Sequence, residues 1–195
     1  MKSSEPNNRY DQAVVQEQLS RSPRDPWHVG ARCNHGYPMV IVSPSLLDDG
    51  ARFPNWGYLT CPFLCSAIGC LESEGAIATW AERLESDEKA AHNQHELEGA
   101  LRQARLEECR ACGQDEDVCS SVGIAGQKNT LGVKCLHIHV AYALLGLDDC
   151  IGREVLREIY EQHPEGCSPE SRYFSSCSEM AHRVALEIMK EEVCE

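Results

Sequence analysis

Trp56-Gly57-Tyr58-Leu59-Thr60-Cys61-Pro62-Phe63-Leu64-Cys65-Ser66-Ala67-Ile68-Gly69-Cys70-Leu71 changes its period in the middle, and that change decides the fold. Residues 56–60 carry aromatic Trp56 and Tyr58 and β-branched Thr60 and follow an Asp49-Gly50 turn signal, so they read as a strand. Pro62 suits the first position of a helix, which makes Cys61 its N-cap. Phe63, Leu64, Ala67, Ile68 and Leu71 then repeat at helical spacing until Gly75 ends the run. Upstream, Pro38-Met39-Val40-Ile41-Val42-Ser43-Pro44 is a second short β-rich run bounded by prolines, and the two runs are expected to pair as a small antiparallel unit.

Most of the remaining chain reads as helix. Tyr10 to Ser20 forms a short peripheral helix after a polar start expected to be disordered, and the proline-bearing segment from Ser22 to Pro26 reads as a linker. Ile77 to about Arg110 reads as one or two exposed helices anchored by Trp80, Leu84, Leu97, Leu101 and Leu106. After a turn-rich connection from Cys112 to Thr130, a buried helix is predicted over Gly132 to Leu147, with Val133, Leu136, Val140, Ala143, Leu144 and Leu147 as its stripe. Two last helices, about Ile151 to Gln162 and Ser178 to Val193, flank a loop holding Cys167 and Cys177. The expected class is α+β, predominantly α-helical, with a small antiparallel β unit near the N-terminal third. Residues 1–26 form a disordered or peripheral segment and residues 27–195 a single domain.

Composition narrows the functions. The N-terminus has no apolar core of the kind a secretory signal needs and no stretch is long enough to cross a bilayer, so a cytoplasmic protein without membrane insertion is expected. A formal charge of -13 with scattered Lys and Arg argues against nucleic-acid partners, leaving a protein partner or a small molecule. In a reducing compartment the twelve cysteines point to metal, cluster or redox chemistry before a disulfide scaffold.

Three segments concentrate thiol and imidazole groups: Arg32-Cys33-Asn34-His35-Gly36-Tyr37-Pro38, Leu59-Thr60-Cys61-Pro62, and Gly132-Val133-Lys134-Cys135-Leu136-His137-Ile138-His139. On a helix Cys135 and His139 lie about 40° apart on one face, whereas His137 is turned by about 200° from Cys135. Cys33, Cys61, Cys135 and His139 therefore form the preferred metal site, with His35 and His137 as rival ligands and zinc as the favoured ion. The dipole of the helix beginning at Pro62, together with Arg32 and Lys134, favours the thiolate forms. An iron-sulfur cluster is the alternative cofactor. Cys109-Arg110-Ala111-Cys112 with Cys119 is a possible second site, to be completed by Cys150, Cys167, Cys177 or His163.

Cys65 and Cys70 read as core or surface thiols, and Cys194 as a bystander. Glu72 and Glu74 read as solvated charges or outer groups near the site. Cys135 with His139, or Cys33 with His35, could pair a nucleophile with a base, but no third orienting group is visible. Gly123-Ile124-Ala125-Gly126 lacks the strand, lysine and helix context of a phosphate loop.

With Phe53-Pro54 ahead of Leu59-Thr60-Cys61-Pro62, Leu71-Glu72-Ser73-Glu74-Gly75 behind it and Val133-Lys134-Cys135-Leu136-His137-Ile138-His139 later, the chain resembles the bacterial family called domain of unknown function 501 over roughly residues 27 to 155. It departs at Asn55, where a threonine is common, and in its high cysteine count. The resemblance implies a shared fold and site rather than a reaction. The expected function is a metal-stabilised binding or regulatory protein; a metal- or thiol-dependent, hydrolase-like enzyme and an iron-sulfur redox protein are the alternatives.

Overall fold

The structure, a computed structural model, describes residues 9–45, 55–111, 113, 123–129, 131–168, 170, 178, 179 and 181–184. Three antiparallel strands, β1 (His28–Arg32), β2 (Pro38–Val42) and β3 (Gly57–Leu59), lie in that order, and helices account for most of the rest. The predicted pairing forms between β2 and β3, with Val40 opposite Leu59, Ile41 opposite Tyr58 and Val42 opposite Gly57. Every residue of β2 is buried, as expected of a central strand covered on both faces.

β1 is an addition to the sequence reading. The Arg32 to Pro38 motif is the turn of a hairpin rather than a free loop: Cys33 N donates to Tyr37 O at 2.9 Å, Gly36 N donates to Cys33 O at 2.9 Å, and Gly36 takes a left-handed φ of 84°. Helix α1 (Arg9–Leu19) lies against β2. It buries Val14 and Val15, and Val15 joins Trp27 and Ile41 in one apolar cluster. Its Asp11, 3% exposed, takes two hydrogen bonds from the Arg32 guanidinium at 2.7 and 2.6 Å.

Helix α2 (Pro62–Ser73) begins and ends as its sequence requires. Cys61 is the N-cap with an extended ψ of 115°, Pro62 is the first helical residue, and Gly75 at φ 97° turns the chain into α3 (Ala76–Ser86). Its buried face of Phe63, Leu64, Ala67, Ile68 and Leu71 is the core of the main apolar cluster. The long polar stretch divides into α3 and α4 (Glu88–Ala111). Trp80, Leu84, Leu97 and Leu101 are buried as predicted, but Leu106 is only half-buried and the neighbouring Arg105 goes inward.

The helix predicted over Gly132 to Leu147 is shorter: α5 spans Leu136–Leu144. Residues 132–135 are extended, with Cys135 at φ -163°, ψ 129°, because the first helical N–H is satisfied from outside the segment: Leu136 N donates to Glu72 Oε1 at 2.6 Å. At the other end Gly146, φ 81°, closes the helix with bonds from Leu147 N to Tyr142 O and from Gly146 N to Ala143 O, the paired bonds of a Schellman cap. α5 is buried on nearly all sides, between β3 and α6 (Cys150–Gln162).

Beyond α6, residues 178, 179 and 181–184 are helical, within the predicted final helix. The expected disorder of residues 1–9 falls outside the described residues except at Arg9, which opens α1, and the Asp49-Gly50 turn and most of the predicted Cys112 to Thr130 connection lie outside them as well. No helix among the described residues is long and apolar enough to cross a membrane.

Candidate functional site

The four sequence-selected ligands do not gather at one point. Cys33 and Cys61 line a cavity of about 520 Å³ together with His35, Tyr160 and Cys167. Cys135 lines a different cavity of about 350 Å³ with His137, Asn55 and Cys65. His139 lies in the core.

The correction to His139 follows from where α5 starts. Because Cys135 precedes the helix, the four-residue spacing no longer sets the two side chains on one face. His139, fully buried, instead places Nδ1 2.8 Å from Asp149 Oδ2. A carboxylate only accepts, so Nδ1 carries the proton of this bond. Asp149 Oδ1 meanwhile accepts from Gly152 N at 2.8 Å and caps α6, which ties the two helices together.

His137 takes the place beside Cys135. Its Nδ1 is 3.5 Å from Cys135 Sγ and 3.2 Å from Glu72 Oε1. One ligand atom from each of Glu72, Cys135 and His137 lies within 4.8 Å of the others, and this is the group of metal-ligating side chains so arranged among the described residues. Around a tetrahedral zinc with Zn–S of about 2.3 Å and Zn–N and Zn–O of about 2.0 Å, the sulfur–nitrogen edge comes to about 3.5 Å and the nitrogen–oxygen edge to about 3.3 Å. The observed edges of 3.5 and 3.2 Å fit that figure. The hydrogen bond to Cys135, followed by the charges of Cys135 and Glu72, raises the His137 pKa against the burial that lowers it.

Glu72 is thus not a solvated charge. It sits in the last turn of α2 with its side chain 21% exposed, held by the backbone N–H that opens α5. No local pattern marks it; the motif Leu71-Glu72-Ser73-Glu74-Gly75 was the sole signal.

The other cavity holds the remaining thiols. His35 Nε2 is 2.7 Å from the carbonyl oxygen of Cys167. The Cys61 thiol is lowered to about 7, chiefly by its hydrogen bond with the Cys167 thiol and then by the N–H groups of Leu64 and Phe63, against the burial that pushes it up. Cys65, one turn along α2, is pushed up to about 12 by burial and then by the charges of Cys61 and Cys135.

Of the second proposed group, Cys109 is buried and disulfide-bonded, so in this state it offers no thiolate to a metal, while Cys112 and Cys119 lie outside the described residues. Cys150 is a free thiol on α6, and Cys177 and Cys194 also lie outside the described residues.

No curated protein and no solved structure matches the chain. Cys33, Cys61, Glu72, Cys135 and His137 all fall within residues 29–157. That span matches the family described as Protein of unknown function (DUF501), and the chain belongs to it.

Proposed function

We propose that the chain is a zinc-dependent protein whose ion is held by Glu72, Cys135 and His137 and keeps a fourth position open toward the cavity of about 350 Å³. The observation that carries this reading is the mutual spacing of the three ligand atoms. Three protein ligands, two of which (Cys135 and His137) line that cavity, favour a hydrolase-like enzyme, in which the ion activates water, over a closed and purely structural site.

The test is metal content on the full chain by elemental analysis, followed by cobalt substitution. About one zinc per chain is expected in the wild type, and loss of it in Cys135→Ser and His137→Ala with helical circular dichroism retained. In the cobalt form, added cyanide shifts the visible bands if the fourth position is open. Folded, metal-free wild type, or zinc retained in Cys135→Ser, refutes the site; a cobalt spectrum indifferent to cyanide refutes the enzyme.

A further inference from the structure

We propose that Cys61 and Cys167 form a thiol–disulfide exchange site that acts on a low-molecular-weight disulfide bound in the cavity of about 520 Å³. The inference does not rest on zinc at Glu72, Cys135 and His137, since none of those residues lines this cavity.

The two thiols come from distant segments and are held in contact by backbone on both sides. Cys61 caps α2 and donates its N–H to Met39 O at 3.3 Å, which fixes it to the end of β2. Cys167 lies in the turn after α6, where its carbonyl oxygen is 2.7 Å from His35 Nε2 on the hairpin turn. Both thiols line the cavity, and Cys167 packs against the apolar cluster that contains Cys61. A third thiol, Cys33, lies on the same wall, and the Tyr160 ring, 46% exposed, stands at the rim beside Phe63 with ring centroids 6.2 Å apart. A cavity of this size is in the range that takes small-molecule ligands.

The chemistry assigns different roles to the pair. Cys61 has the helix N–H groups and the Cys167 hydrogen bond to favour its thiolate, so it attacks one sulfur of the incoming disulfide; the other sulfur leaves as a thiolate. The product is a mixed disulfide on Cys61. Cys167, after losing its proton to solvent, attacks the Cys61 sulfur, releases the second small thiolate and closes a Cys61–Cys167 disulfide. Two protein thiols are oxidised, one small-molecule disulfide is reduced to two thiols, and the two protons lost by the protein appear on those thiols. Cys65 takes no part because burial keeps it as a thiol.

The experiment exposes reduced, full-length protein to glutathione disulfide, quenches with acid and maps the cysteines by mass spectrometry. Expected are a Cys61–Cys167 cross-link in the wild type, an accumulating glutathione adduct on Cys61 in Cys167→Ser, and neither in Cys61→Ser. The Cys65→Ser chain is expected to behave as wild type. With iodoacetamide near neutral pH, Cys61 is expected to react more than about tenfold faster than Cys65. A wild-type map without the Cys61–Cys167 link overturns the proposal without recourse to any variant. So does loss of about one zinc per chain in both Cys61→Ser and Cys167→Ser, which would make the pair metal ligands.

Discussion

Gly152 is where helix propensity and tertiary packing give opposite answers, and the substitution Gly152→Ala measures which wins. It sits in the first turn of α6, where alanine gains about 1 kcal/mol over glycine as a helix former. A Cβ built there would overlap the His139 carbonyl oxygen of α5, and would lie 2.5 Å from the His139 carbonyl carbon and 2.9 Å from Ala143 Cβ. Those atoms are helix backbone and a methyl with no rotamer to yield, so α5 and α6 must part. Overpacking costs about 1–3 kcal/mol, and a clash with backbone belongs at the upper end. About 3 against about 1 leaves a net loss of about 2 kcal/mol, a fall of about 1 M in the urea midpoint if the slope is about 2 kcal/mol/M. Gly69 in α2 and Gly99 in α4 are the controls: an added Cβ meets nothing within 4 Å at either, so Gly69→Ala and Gly99→Ala are expected to gain about 1 kcal/mol. Urea unfolding followed by circular dichroism at fixed reductant reads all three. A Gly152→Ala chain as stable as the two controls would refute the close α5–α6 crossing and the placement of His139 built on it.

Asp149→Ala removes the cap of α6, worth about 1 kcal/mol, and leaves His139 Nδ1–H buried without an acceptor, worth about 1–3, so a loss of about 2–4 kcal/mol is expected in the same assay. Asp149→Asn, which keeps an oxygen for Gly152 N, is expected to lose about 1 kcal/mol less. Arg32→Ala removes two hydrogen bonds from a guanidinium, 42% exposed, to the buried Asp11 carboxylate and is expected to destabilise by about 1–2 kcal/mol. The rate of Cys61 alkylation is expected to titrate with a midpoint near pH 7, two units below the ordinary thiol value of 9.0. Because the folded value is the depressed one, the stability linked to Cys61 is complete above the unfolded value and is lost as pH falls through about 7; unfolding of Cys61→Ser across pH 6 to 9 is expected to lack that slope.

The parts of the fold that were legible are those whose determinants are local. The switch at Cys61-Pro62, the β2–β3 pair and the stop at Gly75 each follow from residues within a turn or two of the feature. β1 was not legible because only two small apolar residues, Val29 and Ala31, mark a face in His28-Val29-Gly30-Ala31-Arg32, too short a run to identify a strand. Its glycine is there for tertiary reasons, since a Cβ at Gly30 would meet Leu145 Cδ2 at 2.5 Å and Val42 Cγ2 at 2.6 Å. The start of α5 was misplaced because Val133 is buried from an extended segment and so mimics a helical stripe, while the group that begins the helix, Glu72 Oε1, lies 64 residues back. The site inherited that error: the choice of His139 over His137 depended on Cys135 being helical. Cys33 and Cys61 line one cavity, and Cys167, which the sequence offered only as one candidate to complete the other cysteine group, joins them because only the fold of the turn after α6 brings it there.

Helix α2 relates the two centres, and its electrostatics assign them opposite chemistry. Cys61 stands at its N-terminus, where the partial positive charge of free N–H groups favours an anion, which suits a thiolate nucleophile. Glu72 stands in its last turn, where the partial negative charge of free carbonyls disfavours a carboxylate by about 0.3–1 kcal/mol. A carboxylate held there, next to a cysteine and a histidine, needs positive charge close by. The Leu136 N–H at the start of α5 supplies part of it, and a protonated His137 or a cation bridging Glu72, Cys135 and His137 supplies the remainder. Zinc meets that need better than a proton because it can neutralise the carboxylate and the thiolate together, whereas a proton on His137 Nδ1 points to only one of them at a time. One twelve-residue helix thus carries an anion-favouring end at Cys61, on the wall of the larger cavity, and a cation-demanding end at Glu72, next to the Cys135 and His137 that line the smaller one.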